Sequence, residues 1–255
     1  MIVKISDTNK VKNLFKNSSK TFVLSALQQI MGEVFADDLE NPKSAIAILG
    51  DFYFPVGIPN DEILNICDEK DFKIIIPQNR EWEIFIEKTY GEKARKFIRY
   101  AVKNTIENFD KEKLNEIVSS LSKEYELKNI DEKIFNLCLS ENWSKDLVSN
   151  FKNYEMFKTL GIGVVILKNN EIVSGASSYL RYDKGIEIEI DTREDYQKKG
   201  LACICGAKII LECLKNSFYP SWDAHTKISM RLAEKLGYKL DCEYIAYEIR
   251  KNQDF

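Results

Sequence analysis

Residues 197–202 hold the strongest local signal for chemistry, because their types and order suit the binding of an anion. The run Gln197-Lys198-Lys199-Gly200-Leu201-Ala202 lies between a predicted strand and a predicted long helix. The first turn of a helix has unpaired N–H groups and the positive end of the helix dipole, and both attract phosphate. Gly200 removes a side chain where a pyrophosphate needs close approach to the backbone, and the two lysines add positive charge. The simpler alternative is a helix that begins at a glycine beside two solvated lysines.

The strand before this run carries three carboxylates on one face. In residues 186–192 the isoleucines alternate with Glu187, Glu189 and Asp191, so the two kinds of side chain point to opposite sides of the strand. An antiparallel strand with one solvated face has the same pattern. If the strand instead ends at a ligand cleft, repulsion among the three charges raises the pKa of one of them. That carboxylate is then a usable general base near neutral pH.

Composition indicates a globular protein and excludes several classes of function. The chain has 255 residues, enough for one large domain or two small ones, with 44% hydrophobic and 30% charged residues. The net charge is −3, whereas a nucleic-acid-binding surface normally leaves a basic excess. No apolar run approaches the ~20 residues that span a bilayer, and the N-terminus lacks the apolar stretch of a signal peptide. We therefore expect a cytoplasmic protein with no nucleic-acid partner and no membrane partner.

Residues that bind metals or form disulfides are sparse. The chain has six cysteines, none of them in C-x-x-C spacing, and a single histidine, His225. One histidine excludes a multi-histidine zinc site, and any Ser-His-Asp or Cys-His mechanism has to use that residue. We expect reduced, partly buried thiols and no metal.

Hydrophobic patterns divide the chain into two α/β parts, residues 1–122 and 123–255. In the first part they predict helices and strands but no motif for chemistry; the helices cover 22–31, 60–70 and 80–90, and the strands 44–54 and 72–76. The charged stretch 110–121 predicts a solvated helix that leads out of this part.

The second part is predicted to be a mixed α/β domain built on a largely antiparallel meander, in the order β-α-α-β-β-β-α-β-α-β-β. Its predicted features include a helix that begins at Ser144, three strands between 161 and 192, a long helix from about 199 to 216 and two final strands in 238–249.

This second part resembles the GNAT N-acetyltransferase superfamily. The run 197–202 fits the acetyl-CoA motif Q/R-x-x-G-x-G/A, and the strand order from about 125 to 249 fits the family topology. Residues 229–238, Ser-Met-Arg-Leu-Ala-Glu-Lys-Leu-Gly-Tyr, resemble the later helix that ends in Leu-Gly-Phe/Tyr. Residues 222–225 together with 187–192 resemble the branch that contains the zwittermicin-resistance acetyltransferase. In that branch the resemblance extends to the N-terminal part, including Gly50-Asp51-Phe52 and Trp82.

The resemblance implies an acetyl-CoA-dependent N-acetyltransferase with an α/β (α+β) fold. The expected architecture is a GNAT-like mixed, largely antiparallel sheet with flanking helices, preceded by a smaller α/β domain that helps to shape the acceptor cleft. The strand 187–192 is expected to diverge from residues 222–224, and the pantetheine arm of the cosubstrate acetyl-CoA is expected in the gap. The residues that the resemblance assigns to cofactor binding are Ile190, Asp191, Thr192, Gln197, Lys198, Lys199, Gly200, Leu201, Ala202 and Ser229.

For catalysis, the resemblance implies direct attack of an amine on the thioester, with Glu187 or Glu189 as the base that removes the amine proton. Many family members protonate the departing thiolate with a tyrosine, but Ala233 stands at that position here, and Thr226 replaces a helix-starting asparagine. The acid is then Ser229, His225, Tyr244 or solvent, or it is dispensable.

Three classes of function remain open at this point. They are the enzyme, a non-catalytic CoA-binding or regulatory protein with the same fold, and a protein-interaction module whose glycine turn is only structural. The acceptor of the enzyme is expected to be a small-molecule or peptide amine. An antibiotic-like polyamine, an amino sugar and a peptide N-terminus all suit an acidic cleft.

Overall fold

The computed structural model describes residues 2–103 and 105–251, which form two compact units. The first unit comprises residues 2–99 and 243–251, and the second comprises residues 100–242. This division differs from the predicted boundary at residue 122 in two respects. The helix predicted at 110–121 belongs to the second unit, and the end of the chain returns to the first. The functional roles assigned to the two parts stay predictions.

Thirteen strands and eight α-helices occur within the described residues. The strands are β1 (Val3–Lys4), β2 (Glu33–Ala36), β3 (Ser44–Leu49), β4 (Phe52–Gly57), β5 (Phe72–Ile75), β6 (Ala94–Val102), β7 (Glu126–Asn129), β8 (Gly163–Lys168), β9 (Glu171–Tyr182), β10 (Gly185–Thr192), β11 (Tyr219–Ser221), β12 (Asp223–Ala224) and β13 (Leu240–Arg250). The α-helices are α1 (Thr21–Leu27), α2 (Asp61–Asn65), α3 (Arg80–Tyr90), α4 (Lys111–Ser119), α5 (Glu132–Ser140), α6 (Tyr154–Leu160), α7 (Leu201–Lys215) and α8 (Lys227–Lys235). Short 3₁₀ helices include Lys145–Leu147 and Glu194–Tyr196.

The first unit is a mixed sheet with helices on both faces. Its strands run in the order β1-β2-β3-β4-β5-β13, and neighbouring strands are antiparallel apart from the parallel pair β4 and β5. Apolar side chains of β3, β4, β5 and β13 form one core with helices α2 and α3. Helix α1 packs on the opposite face, where the ring of Phe22 lies 4.5 Å from that of Phe52.

The second unit contains a five-stranded sheet in the order β7-β8-β9-β10-β11. The first four strands are antiparallel neighbours, and β11 runs parallel to the start of β10. Helices α4, α7 and α8 share one large core with Ile186 and Ile188 of β10. The 3₁₀ helix at Lys145–Leu147 covers the other face: a Cβ on Gly175 would lie 2.6 Å from Leu147 Cδ1. Gly175 is therefore needed for this close approach.

The mixed α/β fold with a largely antiparallel sheet and flanking helices is confirmed, and two local predictions are wrong. The predicted pair of strands in 238–249 is the single strand β13. The predicted helix at Ser144 is one turn of 3₁₀ helix, and the Ser144 hydroxyl donates to the carbonyl of Cys138 at 3.0 Å instead of capping it. The next helix, α6, begins after Asn153, whose side chain accepts from the N–H of Met156.

Candidate functional site

The three carboxylates of β10 share one face of the sheet, and that face is covered. Ile186 and Ile188 point into the core shared with α7, so Glu187, Glu189 and Asp191 point to the opposite side. Glu187 is 4% exposed, and Glu189 and Asp191 are half-buried. Asp191 pairs with Gly175, over which Leu147 packs. This strand does not have the solvated polar face of the simpler alternative.

Strands β10 and β11 part after three residue pairs. Gly185, Ile186 and Glu187 pair with Tyr219, Pro220 and Ser221. Beyond that point the chain after β11 turns away, because Asp223 and Ala224 pair with Ala101 and Tyr100 of β6. The divergence between 187–192 and 222–224 that the resemblance implied is thus present in the strand pairing.

The backbone of β10 beyond Glu187 directs half of its polar groups into this gap. The N–H of Arg193 donates to the carbonyl of Val173 in β9 at 3.0 Å. In an antiparallel pair, residues bonded to the neighbour alternate with residues whose groups point away from it. Two residues before Arg193, the N–H and C=O groups of Asp191 also point toward β9. The N–H and C=O groups of Ile190 and Thr192 therefore point away from β9, toward the gap.

The helix that follows, α7, begins with an open N-terminus. Its N-cap is Gly200, with φ +82° and no side-chain cap, and nothing lies within 4 Å of the position that a Cβ would occupy. The N–H groups of Cys203 and Ile204 bond to the carbonyl of Gly200. The N–H groups of Leu201 and Ala202 precede these first bonds of the helix.

Two exposed lysines come directly before the N-cap of this helix. Lys198, which also has a positive φ of 62°, and Lys199 are exposed. The Lys199 ammonium lies 4.3 Å from the centre of the Tyr196 ring. Gln197 Nε2 is 3.5 Å from the carbonyl oxygen of Thr192, so the Gln197 side chain folds back toward the end of β10.

Helix α8 positions Ser229 beside Trp222, which follows β11 on the far side of the gap from β10. The Thr226 hydroxyl caps α8 by accepting from the N–H of Ser229 at 3.1 Å, so a threonine performs the capping for which the family uses asparagine. The indole N–H of Trp222 donates to Ser229 Oγ at 3.1 Å. The Ser229 hydroxyl can therefore still donate its own proton.

The other candidate acids differ in their surroundings. Ala233 is fully buried, so the family's tyrosine position is packed inside the core. His225 is exposed. Tyr244 belongs to the first unit, where the Lys20 ammonium lies 3.1 Å from the centre of its ring.

Two features of the site come from residues that the sequence did not single out. The hydroxyls of Tyr182 and Ser221 are 2.9 Å apart. Ser221 pairs with Glu187, and this is the last residue pair before β10 and β11 separate. Burial, reinforced by the negative charge of Asp146, raises the pKa of Asp191 to about 7. Asp146 lies in the 3₁₀ helix at 145–147, far from β10 in sequence, so no local pattern reveals either contact.

The described residues offer neither a metal site nor a membrane-spanning helix. Within residues 2–103 and 105–251, no group of three or more His, Cys, Asp or Glu side chains could hold a metal ion. The six cysteines are free thiols; five of them are buried and Cys242 is exposed. None of the helices in the described part of the chain is long and apolar enough to cross a membrane. The absence of a metal stays a prediction.

Comparison with known proteins agrees with this geometry. The chain is 46% identical to a GCN5-related N-acetyltransferase-like protein from Streptococcus suis 89/1591; the match covers 96% of this chain and 98% of that chain with a TM-score of 0.93. It is 28% identical over 265 residues to the uncharacterized N-acetyltransferase YdfB of Bacillus subtilis strain 168, with 94% of each chain covered. A tandem GNAT protein from the clavulanic acid biosynthesis pathway shares the fold alone, with 7% identity, a TM-score of 0.60 and coverage of 100% of this chain and 99% of that chain. A model of the GNAT acetyltransferase family matches residues 12–247. The chain belongs to the GNAT acetyltransferase family.

Proposed function

We propose that the protein moves the acetyl group of acetyl-CoA to an amine by direct attack of the amine on the thioester. The observation that carries the proposal is the gap between β10 and β11 beside the open, glycine-started N-terminus of α7. A bound acetyl-CoA supplies the activated acetyl thioester. The chain's own residues bind that cosubstrate, orient it and manage the protons of the reaction.

The residues around the start of α7 fit a pyrophosphate. The space above Gly200 is open, so a phosphate can approach the backbone there. The N–H groups of residues 198–202 would donate to it, while Lys198 and Lys199 add charge. Leu201 is buried, so it would contribute its backbone, and its side chain anchors the helix in the core.

The end of β10 fits the pantetheine arm. Its amides would bond to the backbone groups of Ile190 and Thr192 that point into the gap, as an added strand does. Asp191 lies between these two residues with its side chain on the carboxylate face. Gln197 would steady the end of β10, and Ser229 would face the arm from α8.

Glu187 or Glu189 would hold the proton that the acceptor amine loses, directly or through water. Glu187 lies where the strands part, and both side chains are on the covered face. Asp191, with a pKa of about 7, adds a third group on that face that can exchange a proton near neutral pH. For the leaving thiolate, Ser229 and His225 are the candidate donors in this unit, and solvent is sufficient because a thiolate leaves readily.

Thiol release from acetyl-CoA with a panel of amines tests the proposal. The panel contains a polyamine antibiotic analogue, in keeping with the zwittermicin-resistance resemblance, as well as an amino sugar and a peptide N-terminus. Amine-dependent thiol release supports transfer. Glu187→Gln and Glu189→Gln are compared with Glu126→Gln, an exposed strand glutamate outside the site. Unchanged turnover at neutral pH in both site variants contradicts the assignment of the base.

A CoA-binding protein without catalysis is the second candidate, and Ala233 at the usual tyrosine position favours it. Tight binding of acetyl-CoA without transfer to any amine supports this alternative. No heat of binding and no thermal shift with acetyl-CoA would instead support an interaction module. For the cytoplasmic setting, we propose that the transfer uses the cytoplasmic pool of acetyl-CoA.

A further inference from the structure

The two units repeat the same arrangement of strands. The order is β1-β2-β3-β4-β5 in the first and β7-β8-β9-β10-β11 in the second. In each set the first four strands are antiparallel neighbours, and the fifth runs parallel to the start of the fourth. In each unit, two helices that follow the fourth and fifth strands share one core with the sheet. Five strands with the same order and the same directions indicate a repeated fold, although no sequence repeat is visible.

Hydrogen bonds fix which residues of the two units are equivalent. The N–H of Ile74 donates to the carbonyl of Asp51 at 2.8 Å, and the N–H of Tyr219 donates to the carbonyl of Lys184 at 2.8 Å. Each acceptor is the residue before the fourth strand, so β4 and β10 are in the same register. Counting onward, position 54 corresponds to 187, position 56 to 189 and position 57 to 190.

The equivalent gap in the first unit is filled by a side chain. The described pairing of β4 with β5 ends at Tyr53, whose carbonyl accepts from the N–H of Ile76 at 2.8 Å. Gly57 lies four residues after Tyr53 in β4, so the Gly57 carbonyl points to the same side of the strand as the Tyr53 carbonyl. The carbonyl of Ile190, the equivalent residue of β10, has the same orientation. The indole N–H of Trp82, from α3, donates to the Gly57 carbonyl at 3.0 Å, and Trp82 is fully buried. A tryptophan therefore occupies the place proposed for pantetheine in the other unit.

The equivalent helix start is also unsuited to phosphate. Helix α2 has only five residues, and the Asn60 side chain caps it by accepting from the N–H of Ile63 at 3.0 Å. Asp61 and Glu62 add negative charge in its first turn, where the second unit has lysines before α7 and an open glycine. The carboxylate positions differ as well, because Phe54 and Val56 stand where the second unit has Glu187 and Glu189.

We infer that the first unit is a second copy of the acetyltransferase fold in which Trp82 and the Asn60 cap close the cofactor cleft, so that one chain binds one acetyl-CoA. The location of that single site in residues 100–242 rests on the proposed function. The fold of the first unit and the closure of its cleft rest instead on the strand order, Trp82 and the Asn60 cap.

Isothermal titration of the full chain with acetyl-CoA tests the inference through its stoichiometry. Three variants accompany the wild type. Gly200→Trp fills the open space at α7, Lys198→Glu reverses an exposed charge there, and Ile58→Trp adds the same bulk to the exposed loop before α2. A thermal melt of each variant confirms that it is folded.

We expect one acetyl-CoA per chain for the wild type and for Ile58→Trp, and an affinity loss of at least about tenfold for both substitutions near α7. Two acetyl-CoA per chain overturn the inference and leave the proposed transfer intact. One full-affinity site that survives in Gly200→Trp contradicts both the inference and the cofactor site proposed at the start of α7. A wild-type chain that binds no acetyl-CoA contradicts the proposed function and the stoichiometry of one together. Weaker binding of acetyl-CoA by Ile58→Trp than by the wild type would contradict the inference that the cleft of the first unit is closed.

Discussion

Replacing Asp191 by asparagine should make the protein more stable at pH 8 and leave its stability nearly unchanged at pH 4. Asp191 is half-buried on the covered face of β10, and burial together with the charge of Asp146 raises its pKa from 3.8 to about 7. Because the pKa is higher in the folded chain than in the unfolded chain, the unfolded chain ionises first as the pH rises. The wild type therefore loses stability between about pH 4 and pH 7, and little more above that range.

The size of the effect follows from the shift. A change from 3.8 to about 7 is about 3 pH units, and each unit corresponds to about 1.4 kcal/mol, so the upper limit is about 4 kcal/mol. The Asp191 side chain retains contact with solvent, which screens its charge, and we expect about 1–2 kcal/mol at pH 8. Asparagine has nearly the same shape as aspartate and no charge to bury. The Asp191→Asn variant should therefore be free of this destabilisation.

Urea unfolding at pH 4, 6 and 8 measures this difference. The stability of Asp191→Asn relative to wild type should grow from pH 4 to pH 7 and then level off. Asp183→Asn, in the exposed turn between β9 and β10, serves as the matched control and should show no such growth. If Asp191→Asn is less stable than wild type at pH 8, its carboxylate is stabilised by a partner, and the reasoning from burial is wrong.

Three further substitutions test the packing around the two clefts. Ser229→Ala removes the acceptor of the Trp222 indole N–H and should cost about 1–2 kcal/mol; an unchanged urea midpoint would contradict this. Trp82→Phe removes the hydrogen bond to the Gly57 carbonyl and should cost about 1–3 kcal/mol without changing the KM for acetyl-CoA; a changed KM would contradict a closed first unit. Ala233→Tyr restores the family's tyrosine at a fully buried position and should destabilise the protein by about 1–3 kcal/mol. Wild-type stability with faster acetyl transfer would instead show that the core accommodates the tyrosine as an acid.

Elements with clear local signals could be predicted from the sequence. Helix α3 has the predicted bounds 80–90, and the structure adds that the Asn79 side chain caps its start. Strand β6 was not predicted, because its Arg and Lys residues obscure the pattern and only Arg99 and Tyr100 are buried. The sequence pattern predicts two strands where the structure has the single strand β13, whose first residues are exposed and whose later residues are buried.

The candidate site was predictable only where it depends on one continuous segment. The alternation in β10 and the glycine before α7 are local, so the sequence showed both. The approach of Leu147 to Gly175 and the pairing of Tyr182 with Ser221 depend on tertiary packing between distant segments. The repeat of the fold leaves no trace in the sequence, since strand order is preserved while the residues at equivalent positions have changed.

Hydrogen–deuterium exchange of the full chain with and without acetyl-CoA tests the central claim most directly. We expect slower exchange of the backbone amides in residues 198–202 and of Ile190 and Thr192, because the cofactor would accept hydrogen bonds from those N–H groups or shield them from solvent. The amides of α2 and of the loop at residues 58–60 should exchange at the same rate in both states. Binding of acetyl-CoA that leaves residues 188–202 unchanged and protects amides elsewhere would contradict a cofactor site at the start of α7.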